Sequence, residues 1–184
     1  MNSVTMRRTA LRAARYLILM LSFLWLCSPA TPAGELSPPP DGPQLSLSLP
    51  DLAGQQRSLD EFSGKVVLVN FWASWCSPCI KEMPSIHRLI EAMREKPFAV
   101  IGVNVAEPVL RVRTAAGRLQ LGFPVLLDTD STVFKGWGAT ILPTTYVLDG
   151  KGRVRYIGRG PMEWDRPDLI DTLVQLGEEP PHSE

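Results

Sequence analysis

Two cysteines, Cys76 and Cys79, are the residues of this chain whose types and spacing most directly indicate chemistry. Only Ser77 and Pro78 separate them, so both thiols fall on one face of a helix and can close a short disulfide ring. Free N–H groups and the helix dipole at a helix N-terminus stabilise a thiolate, which lowers a cysteine pKa below about 8.5. We therefore predict that Cys76 attacks a partner disulfide and that Cys79, one turn further in, resolves the mixed disulfide.

Other uses of a cysteine pair fit the sequence less well. A zinc site normally has four ligands, but the chain has one CxxC pair, a third cysteine at Cys27 and two histidines, of which His182 lies near the C-terminus. A c-type haem site needs a histidine directly after the second cysteine, where this chain has Ile80. A structural disulfide across so short a loop constrains the unfolded chain less than a longer bridge. The pattern favours a redox-active dithiol with no metal and no cofactor.

The elements around the cysteines have the order that such a site requires. The continuous apolar run at 65–71 predicts a central strand covered on both faces. It leads directly to the CxxC pair, and apolar residues at a helical period predict a helix over 76–95. A buried strand followed by a helix that begins at Cys76 positions the thiols at one end of the sheet.

The rest of the chain predicts one α/β domain. Alternating leucines predict a half-buried strand at 44–49, and Asp149 to Gly152 predicts a hairpin turn. Further strands are predicted at 98–104, 125–127, 144–148 and 154–157, and further helices at 109–121, 130–137 and 166–176. This order predicts a sandwich with a central mixed β-sheet and helices on both faces.

The N-terminal 33 residues predict export. A basic segment with four arginines precedes an apolar core at 16–26 and then small residues, which is typical of a signal peptide. An uncleaved membrane anchor is the alternative, but the apolar core is shorter than the roughly 20 residues of a full span. We expect residues 1–33 to be a signal peptide or N-terminal anchor, 34–43 a proline-rich linker, 44–177 the folded domain and 178–184 a flexible tail. The domain would then be periplasmic or otherwise extracytoplasmic, with Cys27 a chance residue of the leader.

Charge and cysteine content exclude some classes of protein. The chain has 19 basic and 19 acidic residues, and the leader holds four of the basic ones and no acid. The remaining domain is mildly acidic and has no basic stripe, so we expect no binding of nucleic acid. Three cysteines are too few for a scaffold stapled by disulfides.

The motifs together resemble a known family. The segment FWASWCSPC at 71–79 resembles the active-site segment of the thioredoxin superfamily, and CIKEMP at 79–84 resembles its TlpA/ResA branch. Members of that branch are exported reductases of cytochrome c maturation or copper-site thiols. Matches to its N-terminal hairpin and to its proline loop and following hairpin occur at Leu52-Ala53-Gly54, Leu59, Gly64-Lys65, Leu142-Pro143-Thr144-Thr145 and Asp149-Gly150. The resemblance spans 44–176 and implies a thioredoxin-like sandwich with an N-terminal β-hairpin extension.

The resemblance also implies roles for four residues beside the cysteines. Pro143 is similar to the cis-proline that faces the CxxC pair, and it would contact bound clients together with Leu142 and Trp75. Glu82 resembles the buried glutamate of the branch beneath the active site. It lies on the same helix face as Cys79, three residues on, where burial would raise its pKa and let it exchange a proton with the Cys79 thiol.

Two departures refine the expected function. Asn70 stands where cytoplasmic thioredoxins carry the aspartate that accepts a proton, which places more weight on Glu82. No basic residue lies between the cysteines, which favours a reductant or isomerase-type donor. The expected partners are client proteins with disulfides or thiols and a membrane electron donor that re-reduces the dithiol. Two alternatives stay open, a thiol peroxidase of the related fold and a copper- or client-binding module that uses the CxxC pair as ligands.

Overall fold

The computed structural model describes residues 34–39 and 45–178, which form a mixed α/β domain. Its strands are β1 (Leu36–Ser37), β2 (Ser48–Pro50), β3 (Gln56–Ser58), β4 (Val66–Trp72), β5 (Phe98–Val105), β6 (Val125–Asp128), β7 (Thr144–Leu148) and β8 (Val154–Arg159). Its α-helices are α1 (Ser77–Ala92), α2 (Val109–Leu119), α3 (Thr132–Gly136) and α4 (Pro167–Glu178), and a 3-10 helix spans Leu59–Phe62.

The main sheet has six strands in the order β1-β8-β7-β4-β5-β6. Strands β4, β5 and β6 run parallel, whereas β7 is antiparallel to β4 and β8 is antiparallel to β7. Strands β2 and β3 form a separate antiparallel hairpin. This arrangement confirms the predicted fold, a thioredoxin-like sandwich with a mixed sheet and an N-terminal hairpin.

Strand β4 lies between β7 and β5 in the interior of the sheet, and every one of its residues is buried. Val66, Leu68 and Trp72 face an apolar cluster that also contains residues of α1, α2 and α4. Val67, Val69 and Phe71 belong to the opposite cluster, with the short helix α3, Trp137 and the N-terminal leucines. Helices therefore cover both faces, but three of them lie on one face, and α3 with the N-terminal segment covers the other.

The sheet register brings three connections to one end of the domain. Phe71, near the end of β4, pairs with Thr144 at the start of β7. Trp72 pairs with Asn104 near the end of β5. The segments that follow β4 and β5 and the segment that precedes β7 therefore meet at the same end of the sheet, and we call this end the active-site end.

The predicted strand at 44–49 is shorter than expected and lies further along the chain. Leu47 is buried as its alternation predicts, but its carbonyl accepts a hydrogen bond from the backbone N–H of Leu59, and the carbonyl of Ser46 accepts one from the Trp137 indole. These carbonyls bind a 3-10 helix and a side chain instead of a neighbouring strand. Only Ser48–Pro50 pairs as a strand.

A strand also occurs where the sequence predicted a linker. Leu36 and Ser37 pair antiparallel with Gly158 and Ile157 at the edge of the main sheet. The leader 1–33, with Cys27, and residues 40–44 and 179–184, with His182, lie outside the described residues, so the predicted domain boundaries stay predictions. In the described part of the chain, no helix has both the length and the apolar character needed to cross a membrane.

Candidate active site

Cys76 and Cys79 form a disulfide at the start of helix α1, with their Cα atoms 5.3 Å apart. Cys76 is the N-cap residue, and its sulfur accepts a hydrogen bond of 3.3 Å from the backbone N–H of Cys79. Pro78 lies in the first turn, where its missing N–H costs no helical hydrogen bond. The predicted helix start at the CxxC pair is confirmed, and the helix ends at Ala92, three residues before the predicted end.

The two cysteines differ in access. Cys79 is fully buried, whereas Cys76 keeps 4% of its surface exposed, and the neighbouring Trp75 is 65% exposed. A partner that approaches from solvent therefore meets Trp75 and Cys76 before Cys79. Trp72, in contrast, is fully buried and packs in the core.

The proline loop lies at the same end of the sheet as the disulfide. The Leu142–Pro143 peptide bond is cis, and Pro143 directly precedes β7, whose first residue pairs with β4. The Pro143 carbonyl accepts a hydrogen bond of 2.9 Å from the Gly160 N–H. Leu142 is half-buried and packs against the core, whereas Ile141 is 49% exposed. Ile141 is thus the more accessible apolar residue of this loop, and no motif in the sequence marks it.

Glu82 lies three residues after Cys79 on α1 and is buried, with only 2% of its surface exposed. One carboxylate oxygen accepts a hydrogen bond of 2.8 Å from the Asn70 amide, and the other accepts one of 3.0 Å from the Met162 backbone N–H. Burial raises the pKa of Glu82 to about 7, against the opposing effect of these hydrogen bonds. The carboxyl group can therefore gain or lose a proton near neutral pH.

Asn70 connects three elements of the site. Its amide nitrogen on β4 donates to Glu82 on α1 and, at 2.8 Å, to the hydroxyl of Thr145 on β7. Its amide oxygen is buried and has no hydrogen-bond partner among the described residues. Asn70 thus donates a hydrogen bond to Glu82, whereas an aspartate at position 70 would place a second negative charge beside it.

Glu107 is a second buried carboxylate at the active-site end, with 3% of its surface exposed. It accepts hydrogen bonds from the Ser74 N–H at 2.6 Å, from the Ser74 hydroxyl at 2.5 Å and from the Asn104 amide at 2.8 Å. Burial alone would raise the pKa of Glu107, but these donors and the nearby charge of Arg111 outweigh burial and lower it. Glu107 therefore fastens the segment before Cys76 to the end of β5.

The described residues contain no group of three or more His, Cys, Asp or Glu side chains that could hold a metal ion. His87 is half-buried on α1, with its ring centre 6.0 Å from that of Phe123. It therefore packs against an aromatic ring of the core, as a helix residue of this kind often does.

A disulfide at a helix N-terminus, a cis-proline loop and a mixed sheet together define a thioredoxin-like redox protein. Residues 33–173 match the family model described as Redoxin. The chain is 39% identical to the thiol-disulfide oxidoreductase ResA of Geobacillus thermodenitrificans over 114 residues, 62% of this chain and 66% of that protein, so the match spans just under two thirds of the relative's length. It is 30% identical to ResA of Bacillus subtilis over 94% of this chain and 96% of that protein.

A solved structure agrees with these matches. The thiol:disulfide interchange protein of the thioredoxin family from Chlorobium tepidum is 26% identical, with a TM-score of 0.63 over 77% of this chain and 99% of that one. The chain belongs to the redoxin family, as a TlpA/ResA-like member of the thioredoxin superfamily.

Proposed function

We propose that this protein is a thiol–disulfide oxidoreductase that reduces disulfides of client proteins. The observation that carries the proposal is the Cys76–Cys79 disulfide at the N-cap of α1, where Cys76 keeps some exposed surface and Cys79 keeps none. The helix N-terminus favours the thiolate form of Cys76 once the disulfide is reduced. The relatives named above are thiol-disulfide oxidoreductases, which supports the same assignment.

The reaction is a two-step exchange. The Cys76 thiolate attacks one sulfur of a client disulfide, forms a mixed disulfide and releases the other client sulfur as a thiolate. The Cys79 thiol then loses its proton and attacks the Cys76 sulfur, which releases the second client thiolate. Two electrons pass from the protein dithiol to the client, and the protein is left with the disulfide that the structure shows.

Glu82 is the proposed proton acceptor for Cys79. Both groups are buried on helix α1, three residues apart and hence on the same face. A carboxyl group with a pKa of about 7 is ionised in part at neutral pH and can take the Cys79 proton as the thiolate forms. Asn70 and the Met162 N–H hold the carboxylate in place during this step.

Client contact is assigned to the exposed Trp75, the half-buried Leu142 and the buried Pro143 at the active-site end. Trp75 offers an apolar surface beside the Cys76 sulfur. Leu142 and Pro143 belong to the loop at the same end of the sheet, so a client segment that reaches Cys76 passes between Trp75 and this loop. Metal ions and organic cofactors have no part in this mechanism.

The compartment and the clients are further parts of the proposal. The basic, apolar and small-residue order of 1–33 supports export to the periplasm or another extracytoplasmic space, with cleavage or tethering of the leader. The absence of a basic residue between the cysteines supports a reducing direction. We propose clients of the cytochrome c maturation or copper-site assembly type and a membrane electron donor that re-reduces the dithiol.

A Cys79→Ser variant tests the proposal, because it stops the exchange at the mixed disulfide. Expressed with its own leader, the variant should accumulate covalent adducts through Cys76 in the cell envelope fraction, identifiable by mass spectrometry after non-reducing electrophoresis. The double variant Cys76→Ser/Cys79→Ser is the control and should give none. The proposal fails if no adduct forms and the purified wild-type dithiol does not reduce a model disulfide.

A further inference from the structure

Four large apolar side chains in the described part of the chain are well exposed, and all four lie at the active-site end. They are Trp75 at 65%, Val109 at 41%, Leu110 at 75% and Ile141 at 49%. Trp75 follows β4, Val109 and Leu110 begin the helix that follows β5, and Ile141 precedes β7, so the sheet register places them together. Exposed apolar residues confined to one end of a domain mark a contact surface.

Part of this surface is a groove that reaches the segment before the disulfide and follows helix α2. We call it the α2 groove, and its lining includes Ser74, Pro108, Leu110, Arg111, Thr114 and Arg118. Ser74 lies two residues before Cys76 in the chain, so one end of the groove belongs to the active-site end of the domain. From Leu110 to Arg118 a helix rises about 12 Å, the length of about four residues of extended chain.

The charged side chains that line the α2 groove are all positive. Arg111 and Arg118 line it, both are exposed, and no acidic side chain lines it. Neither arginine forms a side-chain ion pair within residues 34–39 and 45–178. Arg111 is close enough to the buried Glu107 to lower the pKa of that carboxyl group, but Glu107 already accepts three hydrogen bonds. A ligand that complements the groove therefore carries negative charge next to an apolar side chain.

We propose that the α2 groove binds an acidic segment of the client polypeptide within about four residues of its reactive cysteine, with an apolar client side chain on Leu110. This inference rests on the proposed function for the identity of the ligand as a redox client. It adds a sequence preference that the disulfide alone does not impose, because a bare dithiol reacts with any accessible disulfide. Arg111 and Arg118 would set that preference by attraction to carboxylates and repulsion of basic segments.

A binding experiment tests the groove without using the redox reaction. The probes are two peptides with serine at the cysteine position and a leucine beside it, one flanked by glutamates and the other by lysines. Oxidised wild-type protein should bind the glutamate peptide at least about tenfold more tightly in fluorescence anisotropy at low salt. The double variant Arg111→Glu/Arg118→Glu should lose this preference or reverse it.

Matched variants separate the groove from general charge. Arg113→Glu/Lys135→Glu makes the same change of charge away from the groove, since Arg113 donates to the Leu52 carbonyl and Lys135 lies on α3. It should keep the preference of the wild type. Leu110→Ser should weaken binding of the glutamate peptide more than Val109→Ser does, because only Leu110 lines the groove.

A kinetic experiment connects binding to exchange. Reduced protein is mixed with cysteine versions of the two peptides, each as a mixed disulfide with thionitrobenzoate, and with the neutral hydroxyethyl disulfide. The glutamate peptide should react about tenfold faster than the lysine peptide, and the Arg111→Glu/Arg118→Glu variant should lose this ratio. The rate of each protein with hydroxyethyl disulfide is the internal reference for any change in the dithiol itself. Equal binding or equal rates for the two peptides would overturn the inference, as would the same loss in the matched control. Failure to reduce hydroxyethyl disulfide counts against the proposed function alone, because the binding experiment still decides the groove.

Discussion

Glu82 and Glu107 are two buried carboxylates near the same disulfide, and their pKa values move in opposite directions. Their exposed fractions are 2% and 3%, and each accepts a hydrogen bond of 2.8 Å from a strand asparagine, Asn70 or Asn104. Burial raises the pKa of Glu82 to about 7, whereas the pKa of Glu107 is lowered although burial acts against this. Their solvent-exposed fractions are alike, but Glu82 lies deeper among protein atoms, so burial penalises its charged form more.

The difference comes from the depth at which each group lies in the protein and from the donors around it. Glu82 lies deeper and accepts hydrogen bonds from Asn70 at 2.8 Å and from the Met162 N–H at 3.0 Å. Glu107 has three, two of them at 2.5 and 2.6 Å from Ser74, and the positive charge of Arg111 adds to them. Short hydrogen bonds to an ionised oxygen are the stronger kind. Glu82 is consequently suited to exchange a proton, and Glu107 is suited to hold a loop as a permanent anion.

The largest expected effect comes from Asn70→Asp, which replaces the donor of Glu82 by a second acid. With both groups ionised, two like charges share a buried site, and we expect a loss of about 3–5 kcal/mol in the free energy of unfolding at pH 8. The loss should be smaller at pH 5, where Glu82 is protonated. Urea unfolding of the oxidised protein, followed by tryptophan fluorescence at both pH values, measures it.

Asn104→Asp makes the same change beside Glu107 and is the matched control. Its cost should be clearly smaller at pH 8, because Ser74 still supplies two donors to Glu107. Equal losses in the two variants would contradict the idea that the donors of Ser74 distinguish the two sites.

Glu82→Gln should change the pH dependence of stability. The folded pKa of about 7 lies above the ordinary 4.5, so between these values the folded state keeps a proton that the unfolded state has released. Wild-type protein therefore loses stability as the pH rises from 4.5 to 7, by about 3 kcal/mol in all. The variant lacks this loss, so its unfolding free energy relative to wild type should improve by that amount between pH 4 and pH 8. Parallel pH profiles for the two proteins would rule this out.

Glu107→Gln should give a pH dependence of the opposite sign. The folded pKa of Glu107 lies below 4.5, so its ionised form stabilises the fold above pH 4.5, and this contribution disappears as the pH falls through the folded pKa. We expect the variant to be about 2 kcal/mol less stable at pH 7, because one strong acceptor is lost. The free energies of unfolding of the variant and the wild type should become equal as the pH falls from 7 to 3. A difference independent of pH would mean that the charge of Glu107 has no part in its role.

The smallest effect is expected from Ser74→Ala. The variant removes the hydroxyl donor but leaves the Ser74 N–H on Glu107, so the expected loss is about 1 kcal/mol. Ser77→Ala is the control, since Ser77 is exposed on the other side of Cys76 and should change the stability by less than about 0.5 kcal/mol. Equal effects would show that the bond between the loop and Glu107 adds nothing measurable to the fold.

Features that depend on short stretches of chain could be predicted from the amino-acid sequence alone. The apolar run of β4, the helix that begins after Cys76 and the hairpin at Asp149 follow from local patterns, and the structure confirms each of them. The CxxC spacing likewise determined which sulfur stands at the helix N-terminus. The thioredoxin-like fold was predictable because its order of elements and its motifs agree.

The groups that surround the disulfide are brought together by contacts between distant parts of the chain. Glu82 meets Asn70 across 12 positions and the Met162 N–H across 80, and Ser74 meets Glu107 across 33. The edge strand at Leu36 and the α2 groove are likewise formed by segments far apart in sequence. A carboxyl pKa depends on the burial and the donors that such contacts create, and local sequence patterns carry no information about either. The sequence therefore indicated candidate residues for the chemistry, with Glu82 among them through the family resemblance. The surrounding contacts explain why the pKa of Glu82 lies near neutrality and that of Glu107 is low.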